Sequence, residues 1–437
     1  MRRPAVPGWL RPLAHAGLLL GAITFAGSHP LSAQVLRAER CAECHRGLRE
    51  ERLAAPARTY DNDVHAQKGL GCLACHGGLA GHDAAAGFLS KPQRREIPRV
   101  CGQCHSDAAF MRRFNPSLRV DQVAEYLTSV HGQRLMQQND PDVATCSDCH
   151  KIHEIRPPSD PESSVNPLKV AETCGRCHAD SRYMAGHNIP TDQLDEYRSS
   201  VHGKLMFEEQ DASAPTCNDC HGNHGAAPPG VGSIRNVCGQ CHSTMADFFA
   251  QSRHAELFEK AGLPGCETCH GNHAVKPVSD ELLSERSADV CQRCHTSGDR
   301  YGREFETIRQ LLDSLKLQFD SSRSVLRTAA NAGMEVSQAQ FELEDVNNAL
   351  TMARSAVHSF HIEPVKTSVE EGLKLTNAGT ARGRAALDEH RFRRVGLAFS
   401  ATIIVALVTG LLLKIRQLER RTQTHVDAHN HREETHG

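Results

Sequence analysis

Residues 200–242 read SVHGKLMFEEQDASAPTCNDCHGNHGAAPPGVGSIRNVCGQCH. Two C-x-x-C-H words stand here, Cys217 to His221 and Cys238 to His242, accompanied by two further histidines, His202 and His224. In such a word two thiols three positions apart can add to the two vinyl groups of one haem, and the histidine that follows is placed to bind the iron. Zinc ribbons and disulfide frameworks also use many closely spaced cysteines, but neither calls for a histidine directly after every second one.

Working outward, the word occurs nine times and uses all eighteen cysteines of the 437-residue chain. The thiol pairs are Cys41 and Cys44, Cys72 and Cys75, Cys101 and Cys104, Cys146 and Cys149, and Cys174 and Cys177. They continue with Cys217 and Cys220, Cys238 and Cys241, Cys266 and Cys269, and Cys291 and Cys294. The histidines that close the words are His45, His76, His105, His150, His178, His221, His242, His270 and His295. The expected cofactor is therefore nine covalently attached c-type haems, each with one of these histidines on its iron.

A six-coordinate haem needs a second axial ligand, which the word does not supply. Nine histidines lie outside the words in the same region: His65, His82, His131, His153, His187, His202, His224, His254 and His273. One for each haem makes bis-histidine ligation the reading of this set. It also leaves the eight methionines unneeded as ligands, and histidine in place of methionine implies low potentials.

The order of these residues repeats. Four units each carry a free histidine, a word, a second free histidine and a second word, beginning at His65, His131, His202 and His254. In the last three units the second free histidine follows its word by three residues, so a helical turn would project both side chains from neighbouring positions, toward different irons. The haem at Cys41 stands outside the fourfold pattern, and His187 is its leftover candidate partner.

Only 39% of residues are hydrophobic and 5% aromatic, a weak basis for an ordinary core, so embedded porphyrins are expected to supply the apolar mass. The formal charge of −2 gives no hint of nucleic acid. The fold class that follows is mainly α with extensive loops: a cytochrome c domain at 34–300, built around a haem chain. After residue 300 cysteine disappears, and Ile308, Leu311, Leu312, Leu315, Phe319 and Leu326 recur at helical spacing. Val336, Leu343, Val346, Leu350, Ala353 and Val357 form a second stripe, and Pro364 marks a further boundary. A helical stalk, a hairpin or small bundle, is expected over 301–394. His358 and His361 within it are read as solvent-facing side chains.

The two ends address the chain. Residues 1–33 have the basic start, short apolar run and small residues of a secretory signal. Residues 395–413, VGLAFSATIIVALVTGLLL, are uncharged and long enough to form a transmembrane helix. With the signal exported, one crossing puts the haem domain in the periplasm, an inner-membrane anchor at 395–413 and a cytoplasmic tail at 414–437. Basic residues flank both sides, Arg391, Arg393 and Arg394 before the span and Lys414, Arg416, Arg420 and Arg421 after it, so charge alone does not set the orientation, but the cluster after the span permits it. His425, His429, His431 and His436 are read as part of a solvated, irregular tail.

The words Tyr197-x-x-Ser200-Val201-His202-Gly203, Ser129-Val130-His131-Gly132 and HGNH, at His221 and His270, resemble the class III-like multihaem cytochromes of respiratory chains. That resemblance covers the haem region. It implies that the histidine of each word is the proximal ligand, that those outside are distal, and that electrons pass from quinol-linked complexes to periplasmic or extracellular acceptors. The helical stalk and anchor are also similar to those of membrane-bound members that work beside a cytochrome b-type subunit. The expected role is thus electron transfer with no catalysis, with periplasmic redox proteins as partners. The alternative is a multihaem oxidoreductase similar to nitrite reductases or hydroxylamine oxidoreductases, which needs one haem iron left open.

Overall fold

A computed structural model of the chain describes residues 41–77, 91–225, 234–283, 290–296 and 298–434. The expected signal at 1–33 and the candidate ligand His82 lie outside the described residues. Among those described, the chain is helical or irregular and has no strand, which is the predicted class. It divides into two compact units, Met1–Asn166 and Pro167–Gly437. The first holds the four words from Cys41 to His150, and the second holds the other five together with the C-terminal helices.

The first word of each repeat forms one short helical turn. Thr145 and Thr216 open two of these turns through capping boxes, in which Asp148 and Asp219 accept hydrogen bonds from the Thr N–H groups at 2.7 and 2.8 Å. Each turn then stops at its histidine. Gly77, Lys151, Gly222 and Gly271 follow with φ of 64, 66, 82 and 74°, left-handed conformations that cannot continue an α-helix. The spacing of three suggests one helical turn carrying both histidines, and here the structure differs. His153 and His273 lie beyond the stop and leave in a new direction, and His153 itself has φ 61°.

The repeated Tyr-x-x-Ser-Val-His-Gly words are local clasps. Tyr126 and Tyr197 donate from their hydroxyls to Ala144 O and Pro215 O, at 2.8 and 2.9 Å, which ties each word to the residue before the capping threonine. The buried Ser129 and Ser200 cap the next short helix by accepting from Gly132 N and Gly203 N. Each free histidine of this type is thereby held next to a C-x-x-C-H word by hydrogen bonds between Tyr or Ser side chains and the backbone.

Three helices follow in the second unit: α1 (Arg300–Asn331), α2 (Ser337–Ala356) and α3 (Ile362–Glu434). Asp299 caps α1 by accepting from Gly302 N at 2.8 Å. The predicted stripes face inward: Ile308, Leu312, Leu315, Phe319 and Leu326 pack with Leu343, Val346 and Leu350, and with Val365 and Val369 of α3. Burying each large side chain contributes about 1.5–3 kcal/mol. Gly372, Gly379 and Gly383 let α3 approach α1 closely, since a Cβ there would lie 2.7–2.8 Å from atoms of Leu315, Ser322 and Val325.

Beyond the bundle α3 carries the apolar stretch, which is long and apolar enough to cross a membrane and has no buried part. Leu397, Phe399, Leu407 and Leu411 are all more than 65% exposed, as a lipid-facing surface would be. The helix then runs on to Glu434, so the tail expected to be irregular is helical there. No proline or glycine interrupts residues 411–434, which removes the usual reason for a stop. The side chains of His425, His429 and His431, and His436 as a whole, lie outside what the structure describes.

Candidate haem-binding sites

Each closing histidine lies one residue after a thiol, and the structure brings successive thiol pairs together. In the first unit Cys72 shares a thiol hydrogen bond with Cys41, and Cys101 shares one with Cys146, while Cys75 lies near Cys104. In the second, Cys174 pairs with Cys217 and Cys238 with Cys266. Cys220 lies near Cys238 and Cys241, and Cys269 near Cys291 and Cys294. Within each unit, then, every word adjoins the next. The shared protons pull Cys217 and Cys266 down to about 7 and push Cys101 and Cys238 up. All eighteen thiols are free of disulfides.

The histidines form pairs with a common separation. Ring centres lie 5.9 Å apart for His65 and His105, 6.0 Å for His76 and His153, 6.3 Å for His202 and His242, and 6.0 Å for both His221 with His273 and His254 with His295. A metal-bound imidazole nitrogen sits about 2.0 Å from its metal and the ring centre roughly 1.1 Å farther, so two rings on opposite sides of one iron are about 6.2 Å apart. The observed pairs match that span. Each joins a word histidine to one outside, and so brings together two imidazoles where zinc would need four ligands in a tetrahedron.

Residues 258–300 match the family described as the doubled CXXCH motif. A multihaem cytochrome MtrA of Shewanella baltica (strain OS185) is 27% identical over 276 residues, which are 60% of this chain. The match spans 66% of that relative's own length, a little under two thirds. The motif and the relative support a multihaem c-type cytochrome. No solved structure matches the chain.

The pairing follows two patterns that the sequence order did not give. Three of the four second words pair within their own repeat: His105 with His65, His242 with His202, His295 with His254. First words pair with the following repeat, His76 with His153 and His221 with His273. The first repeat is thus interlocked with the second, and the third with the fourth. His187, the leftover candidate for the haem at Cys41, lies near His178 in the second unit.

Electrostatics keep these imidazoles in the form that can ligate. Burial first, and then the neighbouring imidazole, hold His153, His178, His202, His221 and His254 below the ordinary histidine value. A neutral ring has a free nitrogen lone pair for a metal. Orienting groups grip the opposite ring nitrogen. His45 Nδ1 lies 3.2 Å from Leu53 O, and His65 Nδ1 lies 2.9 Å from Asp63. Burial opposes ionisation of Asp63, yet hydrogen bonds from the His65 ring, Ile155 N–H and His65 N–H outweigh it and hold the carboxyl below its ordinary value. His131, His150 and His224 also make interactions of their own.

One participant was missed by sequence reading. His358, read as solvent-facing, has its ring centre 6.1 Å from that of His270. A lone histidine beyond the last word carries no local signal. The clue was that His270, in the first word of the last repeat, has no following repeat to draw on.

Proposed function

We propose that the chain is a membrane-anchored, nonahaem electron-transfer protein of the class III-like type. Nine haems attach at the nine words, with histidines outside the words as distal ligands. It receives electrons from a quinol-linked membrane donor, such as a cytochrome b-type subunit, and passes them to a periplasmic or extracellular acceptor. The observation that carries this reading is the set of histidine pairs at one common separation, strung along words that adjoin one another.

Bound haem supplies a reversible one-electron couple. The residues determine the rest. The paired cysteines would anchor each haem covalently, and at the words closed by His76, His105, His221, His242, His270 and His295 a second histidine stands where it could ligate the same iron, which would close those irons to a substrate. This favours relay over the oxidoreductase alternative. The apolar segment of α3 would hold the haem region at the membrane surface, on the periplasmic side if residues 1–33 export it and 414–437 stay behind.

Membranes from cells that express the full-length chain should show reduced haem absorbance on adding a quinol, and membranes lacking the chain should not. The purified, reduced protein should consume neither nitrite nor hydroxylamine. Sustained turnover of either would replace the relay with the oxidoreductase reading.

A further inference from the structure

The corner between α2 and α3 is built into the haem region. Residues Val357–Ser359 form a short 3-10 turn, and Phe360 follows it in the left-handed conformation, φ 59°. A bulky residue pays strain energy in that region, so the geometry must be held from outside. The Phe360 ring packs on His254 with centres 3.9 Å apart, and meets Phe305 edge-on. One turn earlier, Arg354 makes a two-pronged ion pair with Asp280, at 2.7 and 2.8 Å. The helix Ser243–Ala250 packs against the same turn. Contacts from both sides fix the corner.

His358 sits at its centre. Its Nδ1 lies 3.0 Å from Ser355 O, a backbone contact that orients the ring and leaves Nε2 for a metal. Its ring centre is 6.1 Å from that of His270, inside the 5.9–6.3 Å range of the other five pairs. The pairing pattern points the same way. The first words closed by His76 and His221 take their partner from the repeat that follows, and the repeat at His254 is followed by no other. The stalk stands where the next repeat would be.

We propose that His358 is the second axial ligand of the haem attached at Cys266 and Cys269, opposite His270. The assignment rests on the cytochrome reading above. It makes the stalk part of the haem chain: the turn that ligates this haem leads directly into α3, which runs without a break through the apolar segment. The haem at Cys266 is thereby tied to the membrane segment through its iron as well as through its fold.

The test uses the purified full-length protein. Relative to wild type, His358→Ala should keep the same covalent haem content and gain a high-spin ferric resonance equal to one haem per chain. After reduction it should bind one additional equivalent of carbon monoxide, and added imidazole should abolish both effects. His361→Ala, three positions on, should leave the spectrum as wild type. A wholly low-spin His358→Ala, or the same high-spin signal in His361→Ala, would overturn the assignment. If His358→Ala loses haem during maturation, His358→Met decides. Methionine can still ligate, and one haem should then titrate at a higher potential than any in wild type. Unshifted potentials would overturn the proposal. A wild-type protein without covalent haem would remove the cytochrome reading itself, a result distinct from all of these.

Discussion

Replacing Gly203 with alanine should destabilise the second unit by about 3 kcal/mol, the range of a methyl group forced into a filled space. Gly203 follows His202 in the short helix Val201–Phe207. A Cβ at this position would lie 1.9 Å from Tyr197 O and 2.9 Å from Arg198 Cα. Both are backbone atoms, so no side chain can swing aside. The same backbone segment is pinned from the other side: Ser200 Oγ donates to Tyr197 O, and the Tyr197 hydroxyl donates to Pro215 O. Relief must come from moving the helix that carries His202, whose ring faces His242. Thermal unfolding of Gly203→Ala should therefore begin at a lower temperature, accompanied by a high-spin signal from the haem at Cys238. Gly262→Ala is the control. Gly262, unlike Gly203, has positive φ, +67°, and open space around it, and its cost should be limited to about 1 kcal/mol of backbone strain.

The second large effect concerns the middle of the second unit. Changing Cys238 and Cys241 together to alanine should remove one haem of the nine. These thiols adjoin Cys266 on one side and Cys220 on the other, so the lost haem is the link between its two neighbours. Two consequences are expected: covalent haem content falls by one per chain, and electrons supplied at one end equilibrate more slowly with haems beyond the gap. The variant should also be less stable. The haem would contribute apolar mass and two covalent anchors in a region whose described core is small; Met184, Met206 and Ala214 are among its few buried apolar side chains. Unchanged haem content would mean that these cysteines do not attach haem.

Much of this account is legible in the amino-acid order because covalent attachment is a local event. A cysteine, two residues, a cysteine and a histidine need no tertiary partner to be recognised, and the helical stripes from Ile308 to Val357 follow the 3.6-residue period. The distal pairing is different. His76 meets His153 and His270 meets His358 through chain reversals that depend on where each short helix stops. Those stops are set by a positive φ at Gly77, Lys151, Gly222 and Gly271. Glycine after a histidine hints at one, but Lys151 gives no such hint, and a spacing of three reads equally well as a continued helix. His358 was obscured for a further reason. On an amphipathic helix a histidine near the end is ordinarily solvated, and only the docking of Phe360 on His254 and of Arg354 on Asp280 turns this one toward the haem region.

The tail shows the opposite error. Its charge and histidine content suggest an irregular, solvated segment, yet α3 continues to Glu434 because nothing in residues 411–434 breaks it. Composition governs solubility there, while helix propensity governs shape.

The account stands on nine covalent haems in one chain, and an intact-protein mass of the purified full-length protein tests that most directly. It predicts a mass equal to the polypeptide plus nine haems, with no thiol open to alkylation. A mass showing fewer haems with reactive thiols, or bound zinc in their place, would contradict it.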